Sequence, residues 1–246
     1  MTKSFLVAIA AVCLLFSCGP AHNVSSSTSP NTLSNKEQKD GWVLLFDGNT
    51  KNGWHIFNNR TDGSAWKAAD GTLYLDSTAK GPRGAGGGEL ITDQTFENFH
   101  LKLDWKLATA GNSGVIFQAQ EDPKYRYAYV TGPEMQILDN DRHPDGKNIK
   151  HRAGDLYDMI TAVPEAANPV GEWNALEIIA DNGKLDLFMN GKKIVSTIQW
   201  DDNWNKMIAN SKFKNTSDFG KFKNGKIALQ DHGNPVWFRN IKIRQL

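Results

Sequence analysis

Residues His100 to Leu107 (HLKLDWKL) alternate polar and apolar side chains without a break. A period of two marks a strand with one face in a core and the other in water. Leu185–Met189, Lys226–Gln230 and Phe238–Ile243 read as further strands. Between such segments the chain is punctuated by Asp47-Gly48, Asp70-Gly71, Asn182-Gly183, Asn190-Gly191 and Asn224-Gly225. Each places glycine after Asn or Asp, the chemistry of a tight turn that needs positive φ. Trp173–Ala180, Lys184–Met189 and Lys192–Thr197, joined by two Asn-Gly turns, predict a three-stranded meander. Helical periodicity is confined to one short stretch, Asp202–Asn210, with Asp202 as its cap. The predicted fold is all-β, a jelly-roll sandwich of two antiparallel sheets.

The first seventeen residues read as targeting. Lys3 precedes an apolar run from Phe5 to Phe16, the length of a signal-peptide core and short for a membrane span. The run closes on Leu15-Phe16-Ser17-Cys18, which resembles a lipobox with Cys18 as the lipidated residue. Residues 18–40, rich in Ser, Asn, Thr and Pro, are expected to be a disordered tether, and residues 41–246 one folded domain. An N-terminal lipid would then be the only membrane attachment. Cys13 and Cys18 are the only cysteines, so the domain has no disulfide and no cysteine nucleophile or ligand. With 28 basic and 27 acidic residues and Lys3 in the leader, the mature chain is neutral. That balance gives no footprint for nucleic acid.

Three places could carry chemistry. In Glu134-Met135-Gln136-Ile137 the apolar pair is expected to face the core, which puts Glu134 and Gln136 together on the opposite face. A glutamate desolvated there could serve as general base or acid; the other reading is a solvent-facing polar edge. In Leu229-Gln230-Asp231-His232, Gln230 and His232 share a side, and a histidine before a Gly-Asn-Pro turn can titrate near neutrality; otherwise it stabilises the turn. The polar loop 139–158 holds His143, His151, Arg152, Asp155, Tyr157 and Asp158. Its histidine spacing fits no zinc signature. Gly84–Gly88 lacks the Lys-Ser/Thr of a phosphate loop. No metal or cofactor is expected.

Several segments resemble, in order, the 3-keto-disaccharide hydrolase domain family, abundant in Bacteroidetes. They are Gly41-Trp42-Val43-Leu44-Leu45-Phe46-Asp47-Gly48 with Gly53-Trp54, Gly87-Gly88-Glu89-Leu90-Ile91-Thr92, Asn112-Ser113-Gly114-Val115 and Glu134-Met135-Gln136-Ile137. Gly154-Asp155-Leu156-Tyr157-Asp158, Glu172-Trp173-Asn174, Asp231-His232 and Phe238-Arg239-Asn240-Ile241 complete the set. The resemblance implies a concanavalin-like jelly roll, similar to family 16 glycoside hydrolases, acting on sugars oxidised at C3. A ketone at C3 acidifies the C2 hydrogen, so a base can remove it and expel the C1 substituent; hydration then gives net hydrolysis. Glu134 fits the base and His232 the acid or second base, with Gln136, Arg152, Tyr157, Gln118 and Asp231 as substrate contacts. Gln118 stands where the family often has Arg.

The resemblance also implies an oxidoreductase upstream to make the ketone. The residues after Cys18 lack the acidic run of surface-exported lipoproteins, so the expected location is the periplasmic face of the outer membrane. The alternative class is a non-catalytic carbohydrate-binding lipoprotein, since such sandwiches also serve as lectins. A conventional family 16 mechanism needs two carboxylates roughly 5 Å apart on one strand face, and the neighbour of Glu134 there is Gln136.

Overall fold

The computed structural model describes Met1 and residues 29–246. The targeting segment and Cys18 lie outside the described residues. The strands are β1 (Val43–Leu44), β2 (Trp54–Ile56), β3 (Trp66–Ala69), β4 (Thr72–Leu75), β5 (Leu90–Thr92), β6 (Phe99–Leu107), β7 (Asn112–Ala119), β8 (Glu134–Leu138), β9 (Asn174–Asp181), β10 (Lys184–Met189), β11 (Lys192–Ile198), β12 (Lys226–Leu229) and β13 (Val236–Gln245). They form a jelly-roll sandwich of two antiparallel sheets, the architecture expected from the alternation and the turns. The larger sheet runs β11-β10-β9-β6-β13-β4-β3, with β1 on β13, and the smaller runs β2-β5-β12-β7-β8.

The two sheets differ in what covers them. In β6, buried and part-exposed residues alternate along the whole strand, so the outer face of the large sheet meets water. Every residue of β7 and β8 is buried. One face of these strands (Val115, Phe117, Met135, Ile137) joins the main core between the sheets. The other carries a second apolar cluster, in which Ile91, Ile116 and Ala228 of the small sheet meet Phe57, Tyr125 and Ala128 from loops. The loop of residues 154–157 adds to the edge of β8: Gly154 N–H donates to Gln136 O, Gln136 N–H to Asp155 O and Tyr157 N–H to Glu134 O. This covered face of the small sheet is where polar residues converge.

Two expectations change in detail. The helix α2 spans Asp202–Ala209, and its cap is Asp201, whose carboxylate accepts from Trp204 N–H at 2.7 Å. Residues 29–40, expected within a disordered tether, are ordered. A helix α1 (Asn35–Lys39) starts at Ser34 with a capping box closed by Glu37. Asn31 exchanges two hydrogen bonds with Asn240 and donates to Gly71 O, and Lys242 of β13 pairs with Glu37. The polar composition that suggested a tether supplies caps and backbone partners instead.

Although its partial burial would raise it, the Glu37 carboxyl is drawn down to about 2 by Lys242 and by the cap donors. A depressed carboxylate stabilises the fold above its unfolded pKa, and that contribution is lost as pH falls from about 4.5 toward 2. Glu37→Ala is expected to cost roughly 1–2 kcal/mol at neutral pH. Its urea midpoint should converge with that of wild type near pH 2.

Candidate active site

Glu134 opens β8 and leans across its neighbour β7. Gly114 is the residue beneath it: a Cβ there would lie 1.9 Å from Glu134 Oε1. Glycine at that position makes room for the carboxyl. With its amide oriented to suit its surroundings, Gln136 donates from its nitrogen to Glu134 Oε1 (3.1 Å) and to Ser113 O (2.9 Å). Glu134, Gln136, Asn112, Tyr129, Tyr157, Lys212, Gln230 and His232 line a recess of about 120 Å³. The expected pairing of Glu134 and Gln136 on one face, with Met135 and Ile137 in the core, is what the register produces.

Burial dominates the electrostatics. Glu134 is 5 % exposed. Desolvation pushes its carboxyl up to about 8, Glu89 and Asp145 add to this, and Lys212 opposes it. Lys212 is itself lowered by desolvation, and its ammonium sits 4.0 Å from the centre of the Tyr157 ring. Burial and the carboxylates of Asp145 and Glu134 raise the Tyr157 phenol, keeping it neutral.

A wider cleft of about 530 Å³ adjoins the recess through Tyr129, Gln230 and His232, which line both. Its walls include Glu89, Arg60, Lys80, Arg126, Tyr127 and the glycine-rich turn. Tyr127 and Tyr129 stack with ring centres 5.0 Å apart. Glu89, just before β5, is 7 % exposed. Its Oε2 accepts from Ala128 N–H at 3.1 Å, and desolvation pushes its carboxyl up to about 7. His232 stands on the exposed rim, its ring 5.9 Å from that of His143. The protein around its ring and the neighbouring His143 hold its pKa below the usual value.

The remaining expected contacts lie elsewhere or are occupied. Asp231 lines the wide cleft, but its carboxylate is taken by Lys80 (2.7 Å) and by Gly88 N–H (2.7 Å) and Gly233 N–H (2.8 Å). It clamps the glycine-rich turn rather than facing a substrate. Arg152 lines neither cavity; it donates to Gly146 O and pairs with Glu165, fastening its own loop. Gln118 also leaves the site. Strand alternation would put it on the face of Glu134, but its φ of +55° and a register shift against β12 turn it toward Gln199 and Lys223 O.

Tyr157 reaches the recess because loop 139–158 is braced by its own polar groups. Tyr157 O–H donates to Asp145 at 3.1 Å, and His151 lies between Asp145 and Asp158, 3.0 Å from each. Asp158 in turn accepts from Lys212 N–H at 2.5 Å. Lys212, Asn112 and Glu89 are site residues that reading the chain for chemistry passed over. Asn112 and Glu89 stand in segments noted for their family resemblance, whereas Lys212 follows α2 in a stretch without motif or periodicity.

Residues 41–244 match the family model of the 3-keto-alpha-glucoside-1,2-lyase-like domain. The chain belongs to that family. A relative named 3-keto-disaccharide hydrolase, from Bacteroides thetaiotaomicron, is 35% identical over 229 residues, covering 84% of this chain and 79% of its own length. Among solved structures, a candidate glycosyl hydrolase from Parabacteroides distasonis superposes with a TM-score of 0.81 at 32% identity, covering 89% of this chain and 100% of its own. A second one from the same organism has a TM-score of 0.65 at 28% identity, covering 83% and 99%.

Gly114→Ala should test how tightly this family site is built. The added methyl displaces the Glu134 carboxyl, so saccharide turnover should fall at least about 100-fold. Far-UV circular dichroism should remain that of the sandwich. Activity close to wild type would show that the carboxyl has another place to go.

Proposed function

We propose that this chain is an enzyme that cleaves 3-keto-glycosides by elimination across C1–C2 followed by hydration. The observation that carries this is the buried Glu134, seated over Gly114 and raised toward neutrality, beside Lys212 and a neutral Tyr157. Abstraction of a C2 hydrogen next to a ketone asks for a base stronger than an ordinary carboxylate, and a pKa near the working pH supplies one. Glu134 takes the C2 proton. Lys212 donates to the C3 oxygen as enolate charge develops, which is electrostatic stabilisation inside the recess, and the neutral Tyr157 ring, its O–H held by Asp145, packs against that ammonium. Gln136 holds the carboxyl in line through its amide.

Two further atoms suit a sugar. Asn112 Oδ1 and Gln230 Oε1 are buried acceptors with no hydrogen-bond partner among the described residues, and the hydroxyls of a hexose are the donors such oxygens need. The family and the named relative from Bacteroides support the 3-keto specificity. A sugar-binding module has no use for a desolvated carboxyl raised to about 8. Cys18 at the end of the apolar leader supports anchoring by lipid at the outer membrane, with the domain on the periplasmic side. There, glycosides oxidised at C3 by an upstream oxidoreductase would reach the cleft.

Glu134→Gln should lower kcat on a 3-keto-disaccharide by roughly 10²–10⁴-fold with little change in KM. Unchanged turnover would remove Glu134 as the base. In wild type, kcat/KM should rise as pH approaches 8, where the Glu134 base ionises, rather than across the range of a free glutamate.

The same substitution has a stability signature of opposite sign. A carboxyl whose folded pKa is raised costs the fold nothing below its unfolded value. Its cost grows as pH rises from about 4.5 toward 8. Glu134→Gln removes that cost and should be more stable than wild type by a few kcal/mol at pH 8, the two curves meeting near pH 4. Thermal melts across that range would read it.

A further inference from the structure

Expulsion of an unactivated alcohol needs a proton delivered to the glycosidic oxygen. In the recess around Glu134, Lys212 serves the ketone and the Tyr157 O–H is held by Asp145, which leaves His232 on the rim and Glu89 in the adjoining cleft as candidates. We propose that Glu89 is that proton donor and that the wide cleft it lines holds the leaving group. The inference rests on the 3-keto-glycoside reading above.

The geometry comes from the sheet. Across the small sheet the order is β5, β12, β7, β8. Glu134 leans from β8 so that its carboxyl lies over Gly114 of β7. Glu89 precedes β5, and Gln230, following β12, lies between them, its N–H donating to Gly114 O. Two strand spacings, roughly 10 Å, separate the Glu134 carboxyl from the line of β5, and the Glu89 side chain closes part of that gap. A sugar in the recess that turns its C2 hydrogen to Glu134 therefore points its C1 substituent over Gln230 toward Glu89. Beyond it lie the stacked Tyr127 and Tyr129 and the glycine-rich wall, a surface suited to a second ring.

Glu89 is held for such a role. One carboxyl oxygen is anchored by Ala128 N–H, which leaves the other for the cleft. Burial of Glu89 and, more weakly, the carboxylate of Asp231 favour its protonated form, outweighing the Ala128 N–H and Arg60. His232, the other candidate, is shifted the opposite way, toward the neutral imidazole. That makes it the poorer donor near neutral pH.

The chemistry balances. Glu134 takes the C2 proton, the C2–H pair becomes the C1=C2 bond, and the C1–O bond breaks with its pair going to oxygen. Glu89 protonates that oxygen, so an alcohol leaves and a 3-keto-1,2-ene remains. In hydration the Glu89 carboxylate takes a proton from the water that adds to C1. Glu134 returns its proton to C2, and both groups regain their starting states.

The experiment compares ethyl and 4-nitrophenyl 3-keto-glucosides of one anomeric form, following alcohol release in a single turnover. Nitrophenoxide leaves without protonation and ethoxide does not. Glu89→Gln keeps an acceptor for Ala128 N–H, so it should release ethanol at least about 100-fold more slowly than wild type and nitrophenol less than about tenfold more slowly. Glu134→Gln should lose both. Equal losses on the two substrates in Glu89→Gln, or a selective loss in His232→Gln instead, would overturn the assignment. Should Glu89→Gln not fold, wild type alone decides through a series of aryl 3-keto-glucosides. A shallow dependence of rate on leaving-group acidity supports a protonated departure, and a steep one overturns it. A wild-type enzyme that releases neither alcohol sinks the 3-keto-glycoside reading itself, and this inference falls with it.

Discussion

A β-sheet buried on both faces has no solvent side on which to place polar groups at no cost. The small sheet of this protein is in that position: one face packs into the sandwich core, and the other is covered by loops and a second apolar cluster. A polar side chain on the covered face must find a partner or be kept for chemistry. Asn112, Glu134, Gln136, Gln230 and Glu89 are all buried there or at its edge. The shape and electrostatics of the site follow from that single arrangement.

Desolvation is the dominant force on the two glutamates; Glu89 also raises Glu134, and Asp231 raises Glu89. The fold carries the cost through contacts far from the cleft, above all the core between the two sheets. Closer in, polar groups that look available are spent on support. Asp231 ties the glycine-rich turn to β12 through Lys80 and Gly88. His151 braces the loop that presents Tyr157 and, through Asp158, the backbone of Lys212. These are scaffold roles, and they separate the residues that can touch a sugar from those that hold its walls.

Much of the sandwich was legible along the chain. The alternation of β6 survives because the outer face of the large sheet is solvated, and the Asn-Gly turns fall between the strands of the meander. Glu134 and Gln136 were readable for the same reason of period two. Gln118, expected at the site from the family resemblance, turns away from it, since one left-handed residue in a bulge reverses which way a side chain points. Arg152 and Asp231 carried the right chemistry for substrate contacts, but their charges are consumed locally. Residues 29–40 looked like a tether because polar residues mark both disordered chain and helix caps, and docking against β13 decides between them.

The sequence by itself determined what depends on local pattern: the strands, their turns, the inward and outward faces of β8, and an order of motifs that marks the family. Tertiary structure alone decided which polar groups share the recess and the cleft that adjoins it. Lys212 stands 78 positions after Glu134, and Glu89 45 positions before it; no local pattern links them. They are brought together by the strand order β5-β12-β7-β8 and by the loops folded over it. Burial, which gives the glutamates their proton affinity, is a property of that assembled face and of no segment alone.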